Sequence, residues 1–262
     1  AVLFGAPFDS TTSFRPGTRF GPAAMRAESF GIETYSPYQE RDLEDYRVFD
    51  AGDLDLPFGN AAGALSAIEE TAAEVLAADK IPVLLGGEHL VTLGAVRAAA
   101  KRYPGLRLIH FDAHADLRAD YMGEALSHAS VIRRCHDILG DGRIYQFGIR
   151  SGSREEMLWS DTHTRMEKFR ADTIGEAVKE IGDAPLYITL DLDVVDPAEF
   201  PGTGTPEAGG LRFTELLAAL LSLRDLNVKA FDICELSPHY DHSGASTALA
   251  CKVLREMLLA YL

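Results

Sequence analysis

The sequence predicts a three-layer α/β/α fold around a central, mostly parallel sheet, and three observations predict it. Short apolar, β-branched runs alternate with helical patterns along the whole chain, the order that crossover connections produce. Several runs, LRLIHF and PLYITL among them, are apolar or nearly so on both faces, as suits strands covered by helices on each side. The chemically loaded residues follow such runs, and open α/β sheets collect ligands outside the carboxyl ends of their strands.

Taken in order, apolar β-branched runs mark strands at Val2–Ala6, Val48–Ala51, Pro82–Leu85, Leu106–Phe111, Ile144–Gly148, Leu186–Leu190 and Val228–Ile233. Apolar residues at three- and four-residue spacing mark helices at Ala61–Ala78, Thr92–Tyr103, Ser130–Leu139, Thr173–Ile181, Phe213–Leu223 and Ala245–Leu262. Two Gly/Pro-rich stretches, 13–22 and 199–210, are loops lying directly beside elements of this series and not interdomain linkers. A single domain over 1–262 is therefore expected. The segments 141–143 and 151–156 read as solvated turns. The first run starts at once, so further residues are expected before Ala1.

With 47% hydrophobic and 25% charged residues, the composition is that of an ordinary soluble protein, and no apolar stretch reaches the roughly 20 residues that span a bilayer. The net charge of −15 argues against nucleic acid, whose phosphates need Lys/Arg surfaces, and favours a small cationic ligand. Cys135, Cys234 and Cys251 form neither a zinc pattern nor a disulfide framework, which fits a reducing cytoplasm.

Asp112, His114 and Asp116 follow the strand Leu106–Phe111. Alternate residues of an extended chain share a face, yet Asp112 and Asp116 would then stand about 13 Å apart. Metal ions in a shared cluster sit only about 3.5–4 Å apart, so the chain must bend after His114. Asp191 and Asp193 follow a second strand, and their same-face spacing of about 6–7 Å needs no bend. One Asp after a strand reads as a cap or turn residue. Five acidic or imidazole groups in this pattern repel one another unless cations neutralise them, and read as metal ligands. His89, after Gly86 and Gly87, is a ligand by position or a satisfied structural histidine; Glu88 is its rival and points the opposite way if the chain is extended.

The motifs GGEH (86–89), DAHAD (112–116), DLDVVDP (191–197) and PGTGTPEAGG (201–210), in this order and spacing, resemble the arginase/agmatinase (ureohydrolase) family over essentially the whole chain. The resemblance implies an arginase-like fold and two Mn²⁺ ions per chain. His89 and Asp116 would hold one ion, His114 and Asp193 the other, and Asp112 and Asp191 would bridge them. A set rich in carboxylates and without thiolate suits Mn²⁺ better than Zn²⁺. The resemblance further implies hydrolysis of a guanidino group through a metal-bridging hydroxide, with His128 as proton shuttle and Glu235 as guanidinium holder; Asp232 is the rival for the second role. It also implies a homotrimer or homohexamer.

Agmatine, cleaved to urea and putrescine, is the expected substrate. The stretch 117–128 has no Asn and one Ser to hold an α-carboxylate, and Asp120 and Glu124 would repel one, with Arg118 as an offset. PGTGTPEAGG and IETYSPY (32–38) also look more like agmatinases than arginases. The alternatives are guanidinobutyrase, arginase or formiminoglutamase activity, a metal-binding homologue without catalysis, and a zinc amidohydrolase, against which the absence of an adjacent His-His pair speaks. His136 is expected to be structural, and Arg15 and Arg19, with Asp9 and Asp241, to make salt bridges or subunit contacts.

Overall fold

A computed structural model describes residues 1–262. In chain order the elements are β1 (Val2–Ala6), α1 (Gly21–Glu28), β2 (Tyr35–Ser36), β3 (Arg41–Asp42), β4 (Phe49–Asp53), α2 (Ala61–Ala77), β5 (Pro82–Gly86), α3 (Thr92–Arg102), β6 (Arg107–Phe111), α4 (Val131–Leu139), β7 (Ile144–Ile149), α5 (Arg154–His163), β8 (Arg165–Lys168), α6 (Ile174–Ile181), β9 (Leu186–Asp191), α7 (Phe213–Leu221), β10 (Val228–Cys234) and α8 (Ala245–Tyr261). Eight strands form one sheet in the order β4-β1-β5-β10-β9-β6-β7-β8, and every pairing within it is parallel. Only β2 and β3 pair antiparallel, apart from the sheet.

Strands β5 and β9 are buried at every residue, because helices cover both faces. Leu65, Ile68, Val96 and Ile132 of α2, α3 and α4 pack with Leu84 and Leu108 on one side. Met25, Ile181, Leu216 and Met257 of α1, α6, α7 and α8 pack with Ile109, Ile188 and Phe231 on the other. The three-layer expectation holds. No helix is long and apolar enough to cross a membrane.

Five elements, α1, β2, β3, α5 and β8, are absent from the sequence reading, and three of them show why. The loop 13–22 ends in α1, whose Pro22 lies in the first turn, where a missing N–H costs nothing. Segment 151–156, read as a solvated turn, instead starts α5. Ser153 accepts from the Glu156 amide and Glu156 accepts from the Ser153 amide, a capping box hidden inside a charged stretch. Edge strand β8 (RMEK) is half-exposed and too polar to show alternation. Segment 141–143 is a turn, as read.

Candidate metal centre and active site

The four central strands β5, β10, β9 and β6 are neighbours, and their carboxyl ends deliver the predicted residues to one place. After β5 the chain turns at Gly87, where a Cβ would stand 2.0 Å from the Phe8 carbonyl oxygen; no other residue fits. The turn brings His89 inward, fully buried. Glu88 goes the other way, as the alternation predicted: its carboxylate accepts from the Thr11 amide at 2.8 Å and from the Thr11 hydroxyl. Burial raises the Glu88 pKa to about 7, with the Thr11 bonds opposing the shift.

Asp112 Oδ2, Asp116 Oδ2 and Asp191 Oδ2 lie 3.1, 3.1 and 3.5 Å from His89 Nδ1. On the other side His114 Nδ1 is 3.0 Å from Asp193 Oδ2 and 3.3 Å from Asp112 Oδ1. Asp112 thus belongs to two groups of potential ligand atoms, one with His89, His110 and Asp116, the other with His114 and Asp193. Asp191 belongs to neither, but its Oδ1 accepts from the Asp193 amide at 2.8 Å, and its Oδ2 faces His89. The bend required after His114 in HFDAHAD is present. His114 still bridges to Ser151 as strand, and the turn comes at Asp116 with φ 53°, a left-handed conformation that Asp tolerates. Glu156 steadies this turn by accepting from the Leu117 amide at 3.0 Å.

The tautomers of His89 and His110 follow from their far-side partners. His89 Nε2 meets Thr189 Oγ1 at 2.8 Å, and that hydroxyl donates to Asp232 at 2.7 Å. The Thr189 proton being used, His89 Nε2–H donates, which leaves Nδ1 as the nitrogen that faces the carboxylates and would lend its lone pair to a cation bound there. Asp232 also accepts from the buried Tyr187 hydroxyl, so this rival of Glu235 acts on His89 from behind.

His110 escaped the sequence reading, although the same every-second-residue rule that links 112, 114 and 116 extends back to it. Gln146 Nε2 donates to Ala115 O at 2.9 Å and to His110 Nδ1 at 3.0 Å. The carbonyl fixes the amide's orientation, so His110 Nδ1 accepts and its Nε2–H donates to Asp112 Oδ2 at 2.8 Å. His110 therefore holds Asp112 and has no lone pair to offer a cation. Arg150 was missed as well. Its guanidinium donates to Asp193 O at 2.6 Å and Glu207 O at 2.8 Å, tying loop 199–210 to the ligand segment. Arg15 grips that loop at Thr203 O and Gly204 O. Arg19 pairs with Asp9 as a salt bridge, whereas Asp241 accepts from Ser243 and Ser246 and meets neither arginine.

The electrostatics call for cations. Burial, followed by repulsion from Asp193 and Asp112, pushes Asp191 well above the usual carboxylate range; Asp116 and Asp193 are raised too, first by burial. Burial opposes charge on His89 and His114, yet the carboxylates lift both well above normal. Four buried carboxylates facing two imidazoles carry a formal charge that two divalent ions would neutralise, and oxygen-rich sets suit Mn²⁺. The donors fit such a pair.

Above the cluster, His128 Nδ1 is 3.5 Å from Glu235 Oε1, and the same oxygen accepts from the His89 amide at 2.8 Å. Glu235 sits at φ 66°, a costly backbone conformation for a non-glycine residue that turns its carboxylate over the site. The Ser13 amide donates to His128 Nε2 at 2.9 Å, and Ser13 Oγ is also 2.9 Å away. Burial opposes charge on His128, but Glu235, Asp116 and Glu88 together outweigh it and raise its pKa to about 9. The amide contact requires a neutral ring; the charged ring can donate to Ser13 Oγ instead, so Ser13 serves both states. A cavity of about 290 Å³ opens here, lined by Ser13, Asp116, Arg118, Tyr121, His128 and Thr205 among others.

Comparison with known proteins identifies the family. The Arginase family model matches residues 1–260. The chain is 47% identical over 265 residues to the agmatinase of Bacillus subtilis (strain 168), covering 100% of this chain and 91% of that protein. It is 34% identical to the guanidinobutyrase of Pseudomonas aeruginosa, covering 98% and 85%. It superposes on the agmatine ureohydrolase of Thermoplasma volcanium with a TM-score of 0.90 at 36% identity, covering 99% and 88%. The chain belongs to the arginase family and is a hydrolase of the ureohydrolase type.

Proposed function

We propose that this protein hydrolyses agmatine to urea and putrescine, with two Mn²⁺ ions held by His89, Asp112, His114, Asp116, Asp191 and Asp193. The observation that carries the reading is Asp112, shared between the two ligand groups, in a chain 47% identical to an agmatinase over its full length. When bound, the ion pair supplies a water activated as nucleophile near neutral pH.

The protein's own residues do the rest. The Glu235 carboxylate grips the planar guanidinium through charge-assisted hydrogen bonds and holds its carbon over the cluster, converting an encounter into a positioned attack. Its strained backbone is consistent with a pre-organised role. His128 is the imidazole beside Glu235 that the ligand set does not use. Its Nδ1–H can be delivered to the departing amine nitrogen, which must gain a proton to leave. We assign the chain to the cytoplasm, since its three cysteines are buried and unpaired, and to a homotrimer or homohexamer by its family membership.

A second reading has one observation in its favour. Arg118 lines the cavity, half-exposed and 3.6 Å from Glu156, and would favour a distal carboxylate, as in 4-guanidinobutyrate. Against it, Arg118 lies over the Tyr121 ring beside Glu156, and the net charge of −15 favours a doubly cationic substrate. Urea release with Mn²⁺ on agmatine, arginine and 4-guanidinobutyrate separates these readings. Agmatine is expected to give the highest kcat/KM. No urea from any of the three would overturn the proposal, and preference for 4-guanidinobutyrate would transfer it to the second reading.

A further inference from the structure

At the opposite end of α4 from His128, three potential ligand atoms converge that the hydrolytic site does not use. His136 lies in the last turn of α4, His163 ends α5, and Asp141 sits in the turn between α4 and β7. His136 Nε2 and His163 Nδ1 stand 2.8 and 2.6 Å from the same oxygen, Asp141 Oδ1, and the three form a compact donor group.

The imidazoles are held in place by their surroundings. Trp159 stacks on His163 with ring centroids 4.1 Å apart and meets His136 edge-on at 4.6 Å. The Arg133 guanidinium covers the Trp159 ring at 4.1 Å, and the Gly142 amide donates to His163 O. The side chains of His136 and His163 are 15% and 32% exposed, whereas Asp141 is 67% exposed. The rings are thus fixed from the protein side while the shared carboxylate faces water, leaving coordination positions open to solvent.

We propose that His136, Asp141 and His163 form a surface site for a borderline divalent cation of the zinc, nickel or copper class, fastening the end of α4 to the end of α5. Two imidazoles and one carboxylate suit these ions, and the first-row affinity order leaves Mn²⁺ the weakest competitor. The catalytic cluster is the reverse, four carboxylates to two imidazoles. The site is independent of which guanidino compound the enzyme cleaves. A simple hydrogen-bonded clip, with both rings donating to Asp141, is the competing account.

Trp159 is the only tryptophan in the chain, so tryptophan emission reports this site directly. Mn²⁺-loaded protein titrated with Ni²⁺ is expected to lose emission in one saturable step, one ion per chain, with a midpoint in the micromolar range. Zn²⁺ added beforehand should block the step. Asp141→Asn should move the midpoint by about tenfold or more, and His136→Gln with Asp141→Asn should remove the step while urea release continues. No saturable quenching below millimolar Ni²⁺, or the same midpoint in the double variant, would overturn the site in favour of the clip.

Discussion

His128 Nδ1 faces Glu235 Oε1 at 3.5 Å, while its Nε2 has both the amide and the hydroxyl of Ser13 at 2.9 Å. One nitrogen thus holds a proton toward the Glu235 carboxylate, and the other can lose or gain one without losing a partner. Replacing His128 by Asn should lower kcat about 10²- to 10⁴-fold, the usual contribution of a positioned acid or base, with KM little changed. If His128 acts as the acid, activity falls as pH rises through its pKa of about 9. Glu235 raises that pKa, so Glu235→Gln should move the alkaline limb to lower pH as well as raise KM. Ser13→Ala removes the acceptor for the charged ring and should move the limb the same way. An alkaline limb that stays fixed in both variants would contradict the assignment.

Asp191 faces His89 on one side and accepts from the Asp193 amide on the other. Asp191→Asn keeps the shape and removes the charge. Activity should vanish, and metal analysis should find fewer than two ions per chain. Unchanged metal content would show that Asp191 is not a bridge.

Gln146 touches no proposed ligand, yet it sets the His110 tautomer that holds Asp112. In Gln146→Glu a carboxylate would face the Ala115 carbonyl, lose that bond and draw the His110 proton to Nδ1, turning a lone pair toward Asp112. Partners behind metal ligands typically contribute 10- to 100-fold in affinity. Free Mn²⁺ followed by electron paramagnetic resonance should show a loss of that size, and the buried, unpaired carboxylate should also lower the melting temperature of the metal-free protein. Equal affinities would sink the relay.

Glu88 provides a stability signature of its own, beside its influence on His128. Its folded pKa is raised from 4.5 to about 7 by burial, so the folded state binds this proton more tightly than the unfolded chain does. The sign follows: stability from this group is fully present below pH 4.5 and is lost as pH rises toward 7. Glu88→Gln should remove that decline and leave the variant more stable at pH 8, by up to about 3 kcal/mol. Thermal melts from pH 5 to 8 test it; parallel curves for both proteins would refute it.

Much of this was legible in the sequence because strand alternation is a strict rule. Asp112, His114, Asp116, Asp191 and Asp193 share faces by counting, and Glu88 was correctly turned away from His89 by the same parity. A turn after His114 was foreseen as a necessity and lies at Asp116, a residue that spacing alone does not single out, because a left-handed Asp leaves no mark in composition. His110 could have been found by extending the parity one step. Gln146, Arg150 and Ser13 could not, since their roles depend on contacts across 31 to 115 positions of chain. Helix α5 was missed for a local reason: its capping box, Ser153 and Glu156, lay in plain sight, but a charged first turn resembles a solvated loop.

In the proposed function two ions, not one, make this site catalytic toward agmatine. Metal-free protein titrated with Mn²⁺, with bound ion and urea release read on the same samples, decides it. Little activity is expected up to one ion per chain, with a rise that completes at two and a spin-coupled signal appearing with it. Full activity at one ion per chain, or urea release independent of Mn²⁺, would contradict it.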